Sequence, residues 1–462
     1  MDPIQDRLAP VLHQLVLDLE HRFPYASALV KRSRTLSVRS SSSEERVDEV
    51  GPTAGAVFAA WNGERFCEVA TGDLSVNGLA AAAKELAGRA GRVKAGDGAL
   101  EVPTGPATSL SYRTPQQIDP DTVSLEQKVD LCRKGRERAA SLDPRVVEAQ
   151  CSYTEDHVES LFVSRLSEMS QRIGRVTFGF NDVFREGGVV RYDGEANGGT
   201  GGFELATIDE SQWNDVASRI LGLLKATPVE PGYYGVVVSP SAAGLIAHEA
   251  FGHGVETDMF LKGRAKSREY LGKAVGSLKV NLFDDPTYPG GYGAYGFDDE
   301  GQPASKTQIL RNGVFIQGLT DLNSAMRLGI PRTANGRRQD VNKAYPRMTN
   351  TYFGTGEDRL EDMISSIDRG IYLGPTESGM EDPKDWGVQC ILAWGRVIEH
   401  GKLTDKFHPQ VGLTGYVPDL LGSIDMVGRD IKLYGGGCGK GYKEFVRVGM
   451  GGPHLKMKAR LG

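Results

Sequence analysis

Glycine is unevenly distributed along this chain of 462 residues. Of its 59 glycines, 21 lie in residues 1–230 and 38 in residues 231–462. Because glycine adopts unusual backbone conformations and lets other groups approach closely, this excess predicts many tight turns in the second half. The segment from Thr227 to Gly232 (TPVEPG) separates the two parts, and its two prolines end any helix there. We therefore predict two domains, residues 1–229 and 230–462.

The first domain combines helical and β-strand patterns. Apolar residues recur at helical spacing in 6–22, 76–90, 124–140 and 212–225, and Ser124 is a favourable N-cap. Two short apolar runs flank Asn62-Gly63, a dipeptide typical of β-hairpins. Residues 146–190 predict a β-meander, and the small, polar residues 91–107 predict a connecting loop.

Short strands and brief helices dominate the second domain. An apolar strand at 233–238 leads through Ser239-Pro240, a favourable helix start, into a short helix at 242–250. Further strands are predicted at 280–284, 307–310, 314–316, 371–373, 388–399, 424–427 and 445–448, and helices at 321–328 and 360–366. The predicted fold class is α+β, with an N-terminal α/β domain of hairpins and helices and a β-rich, glycine-rich C-terminal domain.

Composition excludes several classes of protein. A net charge of -6 gives no general reason to bind nucleic acid or an anionic membrane. No apolar run approaches the roughly 18 residues that a spanning helix needs, and the N-terminus lacks the pattern of a secretory signal. Five widely spaced cysteines are typical of reduced thiols, so we expect a cytoplasmic protein.

The strongest local motif is a glutamate between two histidines on the short predicted helix, His248-Glu249-Ala250-Phe251-Gly252-His253. Histidines five residues apart lie about 140° apart on a regular helix, so an intact helix cannot direct both at one ion. Gly252 and Gly254 offer a way to end the helix and let His253 turn back. Without that break, a histidine–glutamate pair on a helix is usually a surface or core pair.

The sequence from His248 to Asp258 (HEAFGHGVETD) resembles the TldD branch of the TldD/TldE (PmbA) family of metallopeptidases. The resemblance extends, in family order, to 298–301, 335–338, 346–352 and 438–440. It implies one catalytic zinc ion held by His248, His253 and the distant Cys438, with Glu249 as general base. This donor set suits zinc, which favours nitrogen and sulfur ligands. The short helix is then the metal-binding element of the C-terminal domain.

The resemblance also implies an activity and a partner. It indicates a zinc-dependent amide hydrolase that cleaves unfolded or short peptides, or a peptide-like natural-product intermediate. The implied partner is a TldE-like homologous subunit, although a second copy of this chain remains an alternative. Candidate substrate contacts in the shared blocks are Asn335, Arg337, Arg338, Met348 and Asn350. Clustered arginines and aspartates more often form structural ion pairs, which for the two arginines would be with acids such as Asp298 and Asp299.

Two other functions remain open from the sequence. Cys438 lies within Gly435-Gly436-Gly437-Cys438-Gly439, where a small residue at a tight turn is the simpler interpretation without the resemblance. If Cys438 is instead a nucleophile paired with a histidine, the chain is a cysteine hydrolase. A third interpretation is a non-catalytic partner subunit of a protease complex.

Overall fold

The computed structural model describes residues 4–92, 101–102, 106–440 and 444–462. Over these residues the chain has the predicted α+β fold, with strands and helices in both halves. Most of the predicted loop 91–107 lies outside the described residues. No helix in the described part of the chain is long and apolar enough to cross a membrane.

The first half is a seven-stranded, mainly antiparallel sheet with helices packed on it. The strands follow the order β3-β2-β1-β5-β6-β4, and β7 also pairs with β6. In chain order the elements are α1 (Ile4–Glu20), β1 (Tyr25–Ser41), β2 (Glu45–Trp61), β3 (Phe66–Thr71), α2 (Val76–Gly91), β4 (Thr108–Arg113), α3 (Leu125–Ala140), β5 (Val146–Ser164), β6 (Ser167–Glu186), β7 (Val189–Thr200) and α4 (Glu210–Leu224). The hairpin predicted at Asn62-Gly63 is confirmed as the β2–β3 connection.

Alternation along the strands gives this sheet two different faces. Ala28 and Val30 of β1 pack with α1 and α2, whereas Leu29 between them packs against Phe297 of the second half. α3 begins at a capping box, in which Ser124 and Gln127 each bond the other's backbone. The sheet face without helices is therefore turned toward the second half of the chain.

The second half contains two large sheets that enclose a central helix, α5. Its elements are β8 (Gly232–Val238), α5 (Pro240–Phe251), α6 (Thr257–Leu261), β9 (Leu282–Asp284), β10 (Thr307–Arg311), β11 (Val314–Phe315), α7 (Leu322–Leu328), β12 (Gly336–Arg337), β13 (Tyr345–Pro346), β14 (Asn350–Phe353), α8 (Leu360–Ser365), β15 (Arg369–Leu373), β16 (Thr376–Asp382), β17 (Gly387–Glu399), β18 (Lys402–Tyr416), α9 (Val417–Gly422), β19 (Met426–Val427), β20 (Lys432–Lys440), β21 (Glu444–Gly452) and β22 (Leu455–Leu461).

One large sheet has the order β11-β10-β9-β14-β21-β20, and the other has the order β15-β8-β22-β18-β17-β16. The second sheet also includes β19 on β22 and a pairing of β15 with β17. α5 contributes Leu245, Ile246 and Phe251 to the main apolar core between these sheets. Every residue of α5 from Ser241 onward is buried, so its charged and polar side chains are held inside the protein.

The interpretation of Gly435–Gly439 as a tight turn is wrong. These residues lie in the middle of β20, which pairs antiparallel with β21 from Lys432 to Lys440. Glycine is depleted in strands because it has no side chain to pack, so the sequence pattern favours a turn here. Backbone pairing with β21 stabilises β20 as a strand, which the low strand propensity of glycine does not predict.

Polar contacts join the two halves near the helix-free face of the first sheet. Lys31 forms an ion pair with Asp299 at 2.9 Å, and Gln171 donates to the carbonyl oxygen of Phe297 at 3.1 Å. On another side, α4 packs against the second half through a cluster that includes Trp394. β8, which begins at Gly232, is the first strand along the chain that belongs to a sheet of the second half. The domain boundary at 229/230 stays a prediction.

Two carboxylates face each other in the β6–β7 ladder. Asp182 lies opposite Asp193 and is fully buried, and neither of its carboxylate oxygens has a hydrogen-bond partner among the described residues. Asp193 is instead paired with Arg219 at 2.7 Å. Burial, with a smaller effect of Asp193, raises the pKa of Asp182 to about 7.

We expect Asp182→Asn to stabilise the protein at alkaline pH. Because the pKa of Asp182 is higher in the folded state, its contribution to stability is complete below pH ~4 and is lost as pH rises through about 7. The variant, which carries no charge there, should gain on the order of 1–2 kcal/mol in the free energy of unfolding at pH 8.5. Thermal or urea unfolding at pH 5.5 and 8.5 measures the difference.

Asp405→Asn is the matched control, because the side chain of Asp405 is fully exposed. It should change the stability by the same small amount at both pH values. If Asp182→Asn and Asp405→Asn show the same pH dependence, Asp182 is not a destabilising buried charge.

Candidate metal centre

Helix α5 places the first histidine and the glutamate inside the C-terminal core. Ser239 caps the helix by accepting a hydrogen bond from the backbone N–H of Ala242, and Pro240 occupies its first turn. At the other end, the indole N–H of Trp386 donates to the carbonyl oxygen of Ala250 at 3.1 Å. With both ends satisfied, His248 and Glu249 project from a short, rigid element.

The helix ends directly before the second histidine, as the motif predicts. α5 stops at Phe251, and His253 begins a single 3₁₀ turn that ends at Val255. Gly252 has a φ of -91°, which any residue adopts, so a left-handed conformation is not what requires glycine here. Space is the reason: a Cβ on Gly252 would lie 2.2 Å from the carbonyl oxygen of His248 and 2.8 Å from Met348 Cγ.

The cysteine arrives on β20, an edge strand of the six-stranded sheet. Cys438 pairs with Val446 of β21, and its side chain is buried in the core shared with α5. Arg347, itself almost fully buried, donates to the carbonyl oxygen of Cys438 at 2.5 Å. A strand and a buried arginine therefore fix a residue that the sequence places 185 positions after His253.

His248, His253 and Cys438 converge on one point. One candidate ligand atom from each lies within 4.8 Å of the other two. The sulfur of Cys438 is 3.2 Å from Nε2 of His253, and the two imidazole rings are 5.2 Å apart at 87°. His248 Nδ1 is buried without a hydrogen-bond partner among the described residues. Two imidazoles and a thiol suit zinc, so these residues fit the ion that the motif implies.

The electrostatics of the three side chains favour a thiolate. Burial raises the pKa of Cys438, but His248 and His253 act in the opposite direction and hold it well below its ordinary value. For His253, burial lowers the pKa, whereas Glu256 and Cys438 raise it, and the net pKa lies well above the usual range. The deprotonated sulfur is the form that ligates a metal.

A second layer of charges orients His253. Its Nδ1 lies 3.3 Å from Glu256 Oε2, which leaves Nε2 directed at Cys438. Lys440 holds Glu256 at 2.8 Å and Asp258 at 2.7 Å. Although burial raises the pKa of Glu256, Lys440 and His253 lower it to about 2. A carboxylate on the outer nitrogen of a histidine fixes its orientation in many metal sites.

Glu249 lies beside this triad and is also buried. Burial raises its pKa, His248 and His253 lower it, and Cys438 and Glu256 raise it, with a net upward shift. Strand β16 passes close by, since a Cβ on Gly379 would lie 2.9 Å from Glu249 Cγ. Glu249 is thus a carboxyl group with a raised proton affinity next to the candidate ligands.

A second acid near the centre, the half-buried Glu381 of β16, is not indicated by the sequence. Burial raises its pKa to about 9; His253 lowers it, and Glu256 and Glu249 raise it. Its Oε1 is buried without a hydrogen-bond partner among the described residues. The neighbouring residues in the sequence do not distinguish Glu381 from other acidic residues in strands. It comes close to His253 and Glu249 only in the folded chain.

Three of the predicted substrate-contact residues instead make hydrogen bonds or packing contacts inside the protein, next to the metal centre. Asn335 donates to Asp284 at 2.7 Å and to the carbonyl oxygen of Arg347 at 2.9 Å. Asn350 accepts from the backbone of Gly293 and donates to the carbonyl oxygen of Asp285. Met348 is fully buried beside Gly252. Asp284 also accepts hydrogen bonds from Thr349 and Thr351, so it connects these residues with Asn335.

The other two predicted contacts, Arg337 and Arg338, line a cavity of about 480 Å³ between the two halves. Arg338 pairs with Glu68 of β3, so the ion-pair interpretation applies to it, with a different acid from the one expected. The backbone N–H of Arg338 donates to Asp299 at 2.7 Å. Arg337 lies over the ring of Tyr295, 5.2 Å from its centroid. Whether these residues contact substrate stays a prediction.

Sequence comparisons find relatives that span most of the chain. Residues 231–460 match the PmbA/TldA metallopeptidase C-terminal domain. A metalloprotease of Methanocaldococcus jannaschii is 32% identical over 74% of this chain and 75% of its own length. A metalloprotease of Methanothermobacter thermautotrophicus is 30% identical over 97% of each chain. A zinc metalloprotease TldD homolog of Saccharolobus solfataricus is 30% identical over 60% of this chain and 62% of its own.

Solved structures share the whole architecture. A crystal structure from Thermotoga maritima has a TM-score of 0.78 at 18% identity and covers 98% of this chain and 100% of its own. TldE from Thermococcus kodakarensis has a TM-score of 0.74 at 17% identity over 98% and 99%. At such identities the likeness shows the fold alone, whereas the sequence relatives carry the kinship. The chain therefore belongs to the TldD/PmbA family of metallopeptidases.

Proposed function

We propose that this chain is a catalytic, zinc-dependent metallopeptidase that hydrolyses amide bonds in unfolded or short peptides, or in a peptide-like natural-product intermediate. The observation that carries the proposal is the convergence of His248, His253 and Cys438 within 4.8 Å, with Glu249 beside them. A relative named as a zinc metalloprotease supports the choice of metal.

His248, His253 and Cys438 would hold one zinc ion per chain. A zinc ion with three protein ligands polarises a scissile carbonyl and makes water more acidic. The thiolate of Cys438 is favoured by both histidines, and His253 is oriented by Glu256. The thiolate of Cys438 is therefore in its metal-binding form before any ion arrives, whereas His253, whose pKa is raised, has to release a proton when it ligates the ion.

Glu249 is the proposed general base. It projects from the same rigid helix as His248, so its position relative to the metal does not depend on a loop. A carboxylate there takes a proton from the attacking water and delivers it to the leaving amine. In the metal-free chain, burial raises the pKa of Glu249.

The partner and the compartment are part of the same proposal. The structural likeness to TldE supports a TldE-like subunit as the partner, with a second copy of this chain as the alternative. The cytoplasmic location predicted from the five cysteines remains a prediction.

A cysteine hydrolase is the second candidate, favoured by the 3.2 Å contact between Cys438 and His253. A thiolate next to an imidazolium is the arrangement of an activated nucleophile. Complete metal removal separates the candidates. A cysteine hydrolase keeps its activity without metal and loses it on thiol alkylation, whereas the proposed metallopeptidase loses its activity when zinc is removed and regains it when zinc is returned.

We predict that His248→Ala and Cys438→Ala each abolish stoichiometric zinc binding. Each change removes one of three protein ligands, so the remaining two cannot retain the ion through dialysis. Elemental analysis of the purified proteins should find about one zinc per chain in the wild type. Cys132→Ala, which alters a buried thiol in the first half, is the matched control and should keep its zinc. Unchanged zinc in Cys438→Ala would remove Cys438 from the ligand set.

Glu249→Gln should keep the zinc but lose peptidase activity. Glutamine is almost isosteric with glutamate and accepts no proton, so kcat/KM should fall by about 10²- to 10⁴-fold. Parallel measurement of zinc content and hydrolysis of short unfolded peptides tests this. Glu361→Gln, at an exposed acid on α8, is the control and should retain full activity. Unimpaired hydrolysis by Glu249→Gln would contradict its role as the base.

Glu256→Gln should weaken zinc binding without removing a ligand. The neutral amide no longer holds His253 through a charged contact, so the zinc dissociation constant should rise about 10- to 100-fold. Competition with a fluorescent chelator measures this constant. Glu269→Gln, at an exposed glutamate paired with Lys266, is the control. If Glu256→Gln lowers only the melting temperature of the metal-free protein and leaves zinc affinity unchanged, Glu256 is a structural residue alone.

A further inference from the structure

A cavity lies between the helix-free face of the first sheet and the second half. Its volume is about 480 Å³, and its walls come from β1, β2, β5 and β6 on one side and from residues 295–299, 337–341, 437 and 445–447 on the other. Val50 and Phe445 are largely exposed at its rim, so the cavity opens to solvent. Neither the candidate metal ligands nor Glu249 are among the residues that line this cavity.

Three arginines face one another in this cavity. Arg175 comes from β6, Arg337 from β12 and Arg447 from β21. Burial lowers the pKa of Arg175, Asp156 raises it, and the positive charges of Arg337 and Arg447 lower it again. Repulsion from Arg337 and Arg447 therefore contributes to the lowered pKa of Arg175, the most buried of the three arginines.

Protein groups satisfy only part of the hydrogen-bonding capacity of these arginines. Each guanidinium has five N–H donors. In the described chain, Arg175 donates to the carbonyl oxygen of Tyr292 and to Asp156, and Arg337 donates to the carbonyl oxygen of Met348. The nearest carboxylate to Arg447 is again Asp156, at 3.8 Å. Donors of all three arginines thus remain available to a ligand in the cavity.

The other acids that line the cavity do not balance this charge. Asp299 is already paired with Lys31, and Asp298 accepts three backbone N–H bonds and lies 3.9 Å from Arg332. Asp340 is exposed and forms no ion pair with the three arginines in the described chain. Arg338 is neutralised by Glu68. Among the described residues, Asp156 is the one carboxylate that forms an ion pair with any of the three guanidinium groups, so three positive charges share one direct partner.

The cavity adjoins the metal centre through β20. Gly437, which lines the cavity, is the residue before Cys438, and it pairs with Arg447 across the ladder. The distance between successive Cα atoms is about 3.8 Å, so the cavity wall lies one residue from a candidate metal ligand. Side chains alternate along a strand, so Gly437 and Cys438 face opposite sides of β20, and a peptide can reach both sides by passing around this edge strand.

We propose that Arg175, Arg337 and Arg447 form a subsite that binds a carboxylate of the substrate. This inference rests on the proposed peptidase function and specifies its substrate class. Guanidinium groups bind carboxylates through paired, charge-assisted hydrogen bonds, and partial burial strengthens them. The carboxylate belongs either to the C-terminus of a peptide or to an acidic side chain, and both present the same two oxygens to the arginines.

Calorimetric titration of three short acetylated peptides tests the subsite. One peptide of alanine and leucine ends in a carboxylate, the second ends in an amide, and the third is the amide with one internal glutamate. The Glu249→Gln protein is used so that the peptides stay intact. At least one of the two anionic peptides should bind about tenfold or more tightly than the neutral amide. The anionic peptide that shows this preference identifies the source of the carboxylate.

Arg447→Gln, added to this protein, should bring the affinity ratio to about one. Arg447 is half exposed and has no hydrogen-bonded protein partner in the described chain, so its replacement should leave the fold intact, as circular dichroism can verify. Arg447→Lys keeps the charge and should retain part of the preference. Arg311→Gln, an exposed arginine on β10, is the matched control and should leave the ratio unchanged.

Equal affinity for all three peptides, or a preference that survives Arg447→Gln, would overturn the subsite. Hydrolysis of the peptides by the wild-type protein is measured separately. If the preference for a carboxylate is present and depends on Arg447, but the wild type hydrolyses none of the peptides, the subsite stands and the proposed function fails. If the wild type hydrolyses the peptides and no such preference exists, the proposed function stands and the subsite fails.

Discussion

The metal centre depends on the close approach of α5 to the sheet behind it. A Cβ on Gly244 would lie 2.3 Å from the backbone nitrogen of Gly451 in β21, so only glycine permits this packing. β21 in turn carries β20, and β20 carries Cys438. Because His248 and Glu249 come from α5 and the thiol comes from β20, the distance between helix and sheet sets the distance between ligands. The contact between Gly244 and Gly451, two residues without side chains, thus determines whether His248, His253 and Cys438 come together.

Electrostatics sets the charge states of the converging groups in the metal-free chain. The thiol and imidazole at the centre are buried, and burial alone would favour neutral species. Glu256 and Lys440 act against this tendency, because the ammonium keeps the carboxylate charged and the carboxylate favours the protonated, oriented His253. Arg347 completes the layer through the carbonyl oxygen of Cys438. Each charge of the centre is therefore matched by an opposite charge or dipole from another element.

The sequence predicted the local part of this arrangement and missed the non-local part. The helix start at Ser239-Pro240, its end at Gly252 and the hairpin at Asn62-Gly63 follow from neighbouring residues, and the structure confirms them. The glycines at Gly435–Gly439 predict a turn, but they form a strand because its stability comes from β21 and not from its own residues. Glu381 carried no signal, since only the pairing of β16 with β17 brings it to the centre.

The glycine excess of the second half now has a physical meaning that composition alone did not provide. At Gly244, Gly252 and Gly379 the requirement is for space, because a Cβ would collide with the backbone of β21, with the backbone of His248 and with the side chain of Glu249, respectively. At Gly437 the lack of a side chain leaves space in the arginine-lined cavity, on the face of β20 opposite Cys438. The first half supplies the other wall of that cavity through Arg175 and Asp156. The metal-binding half therefore holds the candidate reaction centre, and both halves are needed to shape the space beside it.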